Sequence, residues 1–184
     1  MTNFIYIIWR TIMISEILKK DYDNLEPDYL YDTLTDISAY SIKKMGVKAI
    51  ALDLDNTVLP YGSFSFDEKY TEWVKAMNES GIPVIIISNT VLSRAFILSK
   101  KLGGIPFVAP AFKPSVLGLK LASKKMNIPA SKIAMIGDQA DTDILAANKI
   151  GAVSIKVNGI KERETKRARV SKKTAVAALI STIR

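Results

Sequence analysis

Five short apolar runs constrain this chain more than any other feature: VKAIALDLD, IPVIIISN, IPFVAP, KIAMIGD and AVSIKVN. They are rich in Val and Ile and scarcely alternate with polar residues, which predicts strands covered on both faces. Amphipathic stretches of helical length lie between them. SFDEKYTEWVKAMNESG predicts a helix from about Phe66 to Ser80 with Gly81 as its stop, and VLSRAFILSKKLGG, SVLGLKLASKKMN and TDILAANKIG predict three more. Strands alternating with helices predict an α/β fold, a doubly wound parallel sheet with right-handed crossovers. Upstream, Leu30, Leu34, Ile37, Tyr40 and Ile42 hold a rough helical period that Gly46 ends. Residues 1–45 therefore read as a helical extension, 46–158 as the sheet domain and 159–184 as a basic helical tail.

Composition narrows the chemistry. The chain has no cysteine and no histidine, which removes thiolate nucleophiles, Ser-His triads and zinc sites built from those ligands. Catalysis must run on carboxylates, lysine, hydroxyls, backbone amides and a hard, oxygen-bound metal. The lack of cysteine also fits the cytosol. The net charge of +8 points to an anionic partner. Eight Lys or Arg between Lys156 and Lys173 face only Glu162 and Glu164. That run reads equally as a solvated helix face or as a binding tail. The opening MTNFIYIIWRTIMISE is apolar but too short to span a bilayer, and it lacks the pattern of a secretory signal. Two readings stand for it: an interfacial anchor with Tyr6 and Trp9 at headgroup level, or a segment upstream of a true start at Met13.

In open parallel sheets the ligand crevice lies beyond the carboxyl ends of the strands. The predicted strands end there in Asp53, Asp55 and Thr57, then Ser88, Asn89 and Thr90, then Lys113, then Asp138, Asp141 and Asp143. Carboxylates crowded together stay ionised only with a cation among them, and hard oxygen ligands suit Mg2+. With a lysine and a hydroxyl as an anion site, these are the parts of phosphoryl transfer through an aspartyl-phosphate.

The same residues resemble the haloacid dehalogenase superfamily of aspartate-nucleophile phosphatases. DLDNT is similar to its first motif, IISN to its second, Lys113 in AFKP to its third and GDQADTD to its fourth, in order, over roughly Val47 to Asn158. The resemblance implies a HAD-like Rossmannoid fold with Asp53 as nucleophile, Asp55 as general acid and base, and Lys113 as a catalytic cation. It implies Mg2+ held by Asp53, Asp138 and the backbone carbonyl of Asp55. Ser88 is implied to bind the phosphoryl group, Asn89 and Thr57 to support it. An acid of the fourth motif is implied to orient metal-bound water; Asp143 is favoured, with Asp141 as the alternative.

The gaps from Asp55 to Pro83 and from Ser88 to Lys113 leave room for a helix each and for no cap domain. An open site suits a bulky substrate. At finer grain, GVKAIALDLDNTVLPYG, AFKPSVLGLKLA and IGDQADTDILAANKIGAVSI resemble the subfamily IIIA phosphatases of the YqeG type. These are similar to fungal and plastid enzymes that dephosphorylate phosphatidylglycerophosphate. The resemblance implies an anionic phospholipid as substrate and a peripheral place at the inner face of the membrane. A soluble phosphosugar, nucleotide or nucleic-acid end is the alternative substrate. A non-catalytic nucleic-acid or ribosome-binding module is disfavoured, because the basic tail has no aromatic residue to stack on bases.

Overall fold

The computed structural model describes residues 24–161. The apolar opening stretch, with its choice between Met1 and Met13, and the tail beyond Lys161 lie outside the described residues. Six parallel strands form one sheet in the order β1-β6-β5-β2-β3-β4. They are β1 (Tyr29–Tyr31), β2 (Ala49–Leu52), β3 (Val84–Ile87), β4 (Phe107–Val108), β5 (Ile133–Gly137) and β6 (Val153–Val157). The helices are α1 (Ala39–Lys44), α2 (Glu68–Glu79), α3 (Leu92–Lys101), α4 (Leu117–Met126) and α5 (Leu145–Ile150). All five apolar runs are strands. From β2 the chain winds outward through β3 and β4, then returns to the other side of β2 with β5 and β6. The winding reverses between β2 and β5, so the crevice must open there.

Both sheet faces are covered, which is why the strands lack alternation. On one face Ile50, Leu52, Val84, Ile86 and Ile136 meet Tyr70, Trp73, Val74 and Met77 of α2. On the other, Ile85, Ile87, Ile133 and Met135 meet Leu119, Ala122, Ala146 and Ala147. Alanines at these contacts let α4 and α5 lie close to the sheet. Asp67 caps α2 by accepting from Lys69 N, and Gly81 ends it with φ 78°, where a Cβ is disfavoured.

Residues 24–45 depart from the expected helical extension. Tyr29–Tyr31 is an edge strand of the main sheet, pairing with Ile155–Val157. Asp28 fastens it, accepting from Ser154 N at 2.8 Å and Ser154 Oγ at 3.1 Å. The helical period belongs to two short pieces, a 3-10 turn at Leu34–Asp36 and α1, with Ser38 capping α1. Leu34, Ile37 and Ile42 are fully buried in the sheet domain's core, while Leu30 and Tyr40 face outward. Trp73 Nε1 donates to Ile37 O at 2.7 Å. The segment is thus part of the domain, and the boundary drawn at residue 46 does not separate two folding units. No described helix is long and apolar enough to cross a membrane.

Candidate active site

The first reactive loop starts where β2 ends. Asp53 N donates to Ile136 O, and then Leu54 O gathers three amides, those of Thr57, Val58 and Leu59. That tight turn folds the DLDNT segment back over the sheet edge. Asn56 completes it in the left-handed region at φ 63°, which asparagine tolerates better than most residues. The register pairing Leu52 with Ile136 brings Asp53 and Asp138 out side by side.

After β5 the chain enters a wide π-type turn over Ala140–Ile144, in place of a regular helical start. Gln139 O accepts from both Asp143 N and Ile144 N. The wide turn directs the Asp143 carboxylate inward, where it is 1% exposed, while Asp141 faces solvent. Gly137 allows this approach: a Cβ there would fall 2.1 Å from Asp143 Oδ2.

Lys113 lies between the acids. Its Nζ donates to Asp53 Oδ1 and to Asp143 Oδ1, each at 2.5 Å. Asn89 holds the lysine's backbone at both ends, its Nδ2 donating to Lys113 O (2.9 Å) and its Oδ1 accepting from Lys113 N (2.8 Å). Asn89, expected to support the phosphoryl group, therefore has its amide committed to placing Lys113. Thr57, expected beside the substrate, is fully buried beneath the carboxylates, with Oγ1 3.4 Å from both Asp53 Oδ2 and Asp138 Oδ1. Ser88 lines the cleft and its Oγ accepts from Thr90 N.

One carboxylate oxygen each from Asp53, Asp138 and Asp143 lie within 4.8 Å of one another. Burial pushes Asp53 up to about 7, with Lys113 pulling it down and Asp143 pushing it further up. Burial likewise raises Asp138 and Asp143, against the opposing pull of Asn56 on the former and Lys113 on the latter. For Lys113 burial works against the charge, but Asp53 and Asp143 outweigh it and hold the ammonium above its ordinary value. One ammonium among three carboxylates leaves negative charge uncompensated. A donor set made only of hard oxygens fits a small divalent cation of the Mg2+ kind.

Asp55 stands apart from this cluster. Both its oxygens accept from Arg94, Oδ2 from Nη1 at 2.7 Å and Oδ1 from Nη2 at 2.8 Å, and Oδ1 also accepts from Gly62 N. Arg94 further donates to Thr90 Oγ1 and, from two nitrogens, to Ser63 O. All five guanidinium N–H groups are thereby used. Sequence reasoning missed Arg94, and it missed Asn56, whose Nδ2 donates to Asp138 Oδ2 at 2.6 Å. A signal for Arg94 was present: it is the first cation after IISN, on the opening turn of α3, in a stretch without any acid to solvate it.

Asp53, Asp55, Ser88, Arg94 and Lys113 line a cleft of about 210 Å3 whose wall also carries Tyr61 and Gly62. Between β2 and β3 the only described helix is α2, so among the described residues no cap domain covers the mouth.

A family model described as HAD-hydrolase-like matches residues 111–182. The probable phosphatase YqeG of Bacillus subtilis (strain 168) is 34% identical over 131 residues, which is 71% of this chain and 76% of that protein. Among solved structures, the fold is similar to an uncharacterized protein from Listeria monocytogenes serotype 4b, with TM-score 0.51 and 17% identity over 60% of this chain and 78% of that one. It is similar also to the cobalt-bound deoxy-D-mannose-octulosonate 8-phosphate phosphatase of Haemophilus influenzae, with TM-score 0.50 and 21% identity over 61% of this chain and 69% of that one. At such identities the structures speak to the fold alone. The chain belongs to the haloacid dehalogenase family of phosphatases, together with the Bacillus YqeG protein.

Proposed function

We propose that the protein hydrolyses phosphatidylglycerophosphate to phosphatidylglycerol, with Mg2+, through an aspartyl-phosphate on Asp53. The observation that carries this reading is a buried nucleophile–lysine pair at a cleft over which the described residues place no cap. Such a site suits a phosphate attached to something large that stays outside. The resemblance to phosphatases of phosphatidylglycerophosphate and the net charge of +8 support an anionic lipid as that body.

In the proposed reaction an Asp53 oxygen bonds to phosphorus as the bond to the glycerol oxygen breaks. Lys113 has two N–H groups on Asp53 and Asp143 and a third for a phosphoryl oxygen. The Ser88 hydroxyl donates to another. Asp55, having taken up a proton from solvent, gives it to the departing alkoxide, then takes one from the water that attacks the acyl phosphate and regenerates Asp53. To do so Asp55 frees one oxygen from Arg94, while Thr90 and Ser63 keep the guanidinium in place. Asp53 and Asp138 would hold the cation, with Asp143 beside them and the Asp55 carbonyl as the further ligand that the resemblance implies. The cation, when bound, neutralises charge developing on the phosphoryl oxygens.

The test is phosphate release from phosphatidylglycerophosphate in mixed micelles, with and without Mg2+, beside a panel of soluble phosphate esters. Release from the lipid that needs Mg2+ and vanishes in Asp53→Asn is expected. Release from soluble esters alone would end the lipid assignment, and turnover by Asp53→Asn would end the covalent route.

A further inference from the structure

Around the mouth, large apolar side chains face solvent where a soluble enzyme would place polar ones. Val91 and Leu92 follow the Ser88–Thr90 loop and are 64% and 61% exposed; Phe112 precedes Lys113 and is 63% exposed; Leu117 opens α4 at 49%. Ala111 N donates to Ser88 O, and Asn89 grips the Lys113 backbone, so the two loops bearing these residues are clasped together. Leu92 and Leu121 continue into one open groove of about 700 Å3 along edge strand β4, whose wall also carries Lys124 and Lys125.

Phe112 is the most telling of them. Its φ of 54° lies in the left-handed region, where a bulky side chain is disfavoured. A backbone conformation that disfavours bulky residues thus coincides with an aromatic ring facing solvent, and such positions are often functional.

The stretch of chain that supplies this face carries charge of one sign. From Ser80 to Gly137 there is no Asp or Glu, against eight Lys or Arg. Arg94 and Lys113 are held by site carboxylates, but Lys100, Lys120, Lys124 and Lys125 are exposed on α3 and α4. The chain also leaves the described fold beside the mouth, with Lys161 N donating to Asn56 Oδ1, and continues into the basic tail.

We propose that this face, formed by the 91–92 and 111–117 loops with the flanking lysines of α4, docks on an anionic lipid bilayer. Val91, Leu92, Phe112 and Leu117 enter the headgroup layer, and the lysines meet the lipid phosphates. The proposal deepens the lipid-phosphatase reading, because it brings the open mouth next to headgroups. A second copy of the chain fits worse, since a face with only lysines among its charges would oppose itself. Nucleic acid fits worse too, because exposed Val91, Leu92, Leu117 and Leu121 match neither phosphates nor base edges.

The test is flotation of the full chain with phosphatidylcholine vesicles, with and without phosphatidylglycerol. Wild type should partition onto the anionic vesicles. Phe112→Asn keeps a residue that accepts left-handed φ, so its melting temperature should equal or exceed that of wild type, while partitioning weakens by about tenfold or more. Lys124→Glu with Lys125→Glu should remove the preference for phosphatidylglycerol. Partitioning of both variants at the wild-type level would overturn the proposal and assign any vesicle binding to other parts of the chain. A wild-type dimer that Phe112→Asn splits, seen by sedimentation, would overturn it in favour of a self-interface. Loss of RNA binding instead of vesicle binding would overturn it in favour of nucleic acid. Flotation involves no turnover: bound protein that fails to hydrolyse phosphatidylglycerophosphate sinks the substrate assignment alone, and hydrolysis in micelles without flotation sinks the docking face alone.

Discussion

At the scale of single residues, charge balance around Asp53 dominates. Burial lifts its carboxyl to about 7 in the fold, against 3.8 for an unperturbed aspartate. Between those values the folded protein holds a proton that the unfolded chain has released, so stability is full below the lower value and is lost as pH rises through the upper one. Asp138 and Asp143 shift the same way and add to the loss. Asp53→Asn keeps the shape without the charge. In metal-free buffer its stability should fall less than that of wild type as pH rises from 4 to 8; chemical denaturation across pH checks this. The strand-end acids and Lys113 could be placed from sequence because a strand's end fixes where its next residue emerges. Arg94 and Asn56 could not. Their importance comes from where flexible side chains turn after α3 and the first reactive loop have formed, and spacing along the chain does not encode that.

Among the elements, the tip of β5 and the wide turn after it form the tightest joint. Gly137 closes the strand, and Asp143 folds back over it. Gly137→Ala should push the Asp143 carboxylate off Lys113, costing about 1–3 kcal/mol as an overpacked site does and lowering turnover more than tenfold. Thermal unfolding and phosphate release read the two effects separately. Sequence pattern located the β5–α5 unit but not the π-type turn, because an amphipathic period looks the same whether or not one residue is added at its start. The edge strand Tyr29–Tyr31 escaped for a different reason: three residues carry too little pattern, and its partner lies more than a hundred residues away.

For the whole molecule, the first described segment is structural. Leu34, Ile37 and Ile42 are fully buried in the main core, and burying each contributes about 1.5–3 kcal/mol. Three of them approach the entire margin of a domain this size. A chain begun at residue 46 should therefore show no cooperative unfolding transition by circular dichroism, whereas one begun at residue 24 should keep it. The doubly wound parallel sheet and the crevice at its strand ends followed from alternating strand and helix signals, whereas the strand order came from the fold itself. That the sheet recruits Tyr29–Tyr31 as a sixth strand followed only from tertiary contacts such as Asp28 with Ser154 and Trp73 with Ile37.

Asn56 joins distant parts of this fold with one side chain and one carbonyl. Its amide nitrogen reaches Asp138, its amide oxygen takes Lys161 N, and its backbone oxygen takes Ile160 N at 2.8 Å. Trimming the protein just after β6 would strip two of those three restraints and let the amide swing away from the acid it steadies. The stretch around residue 160 is thus a strut for the reactive corner, and fusions or proteolytic cuts there would reach the chemistry through a single asparagine.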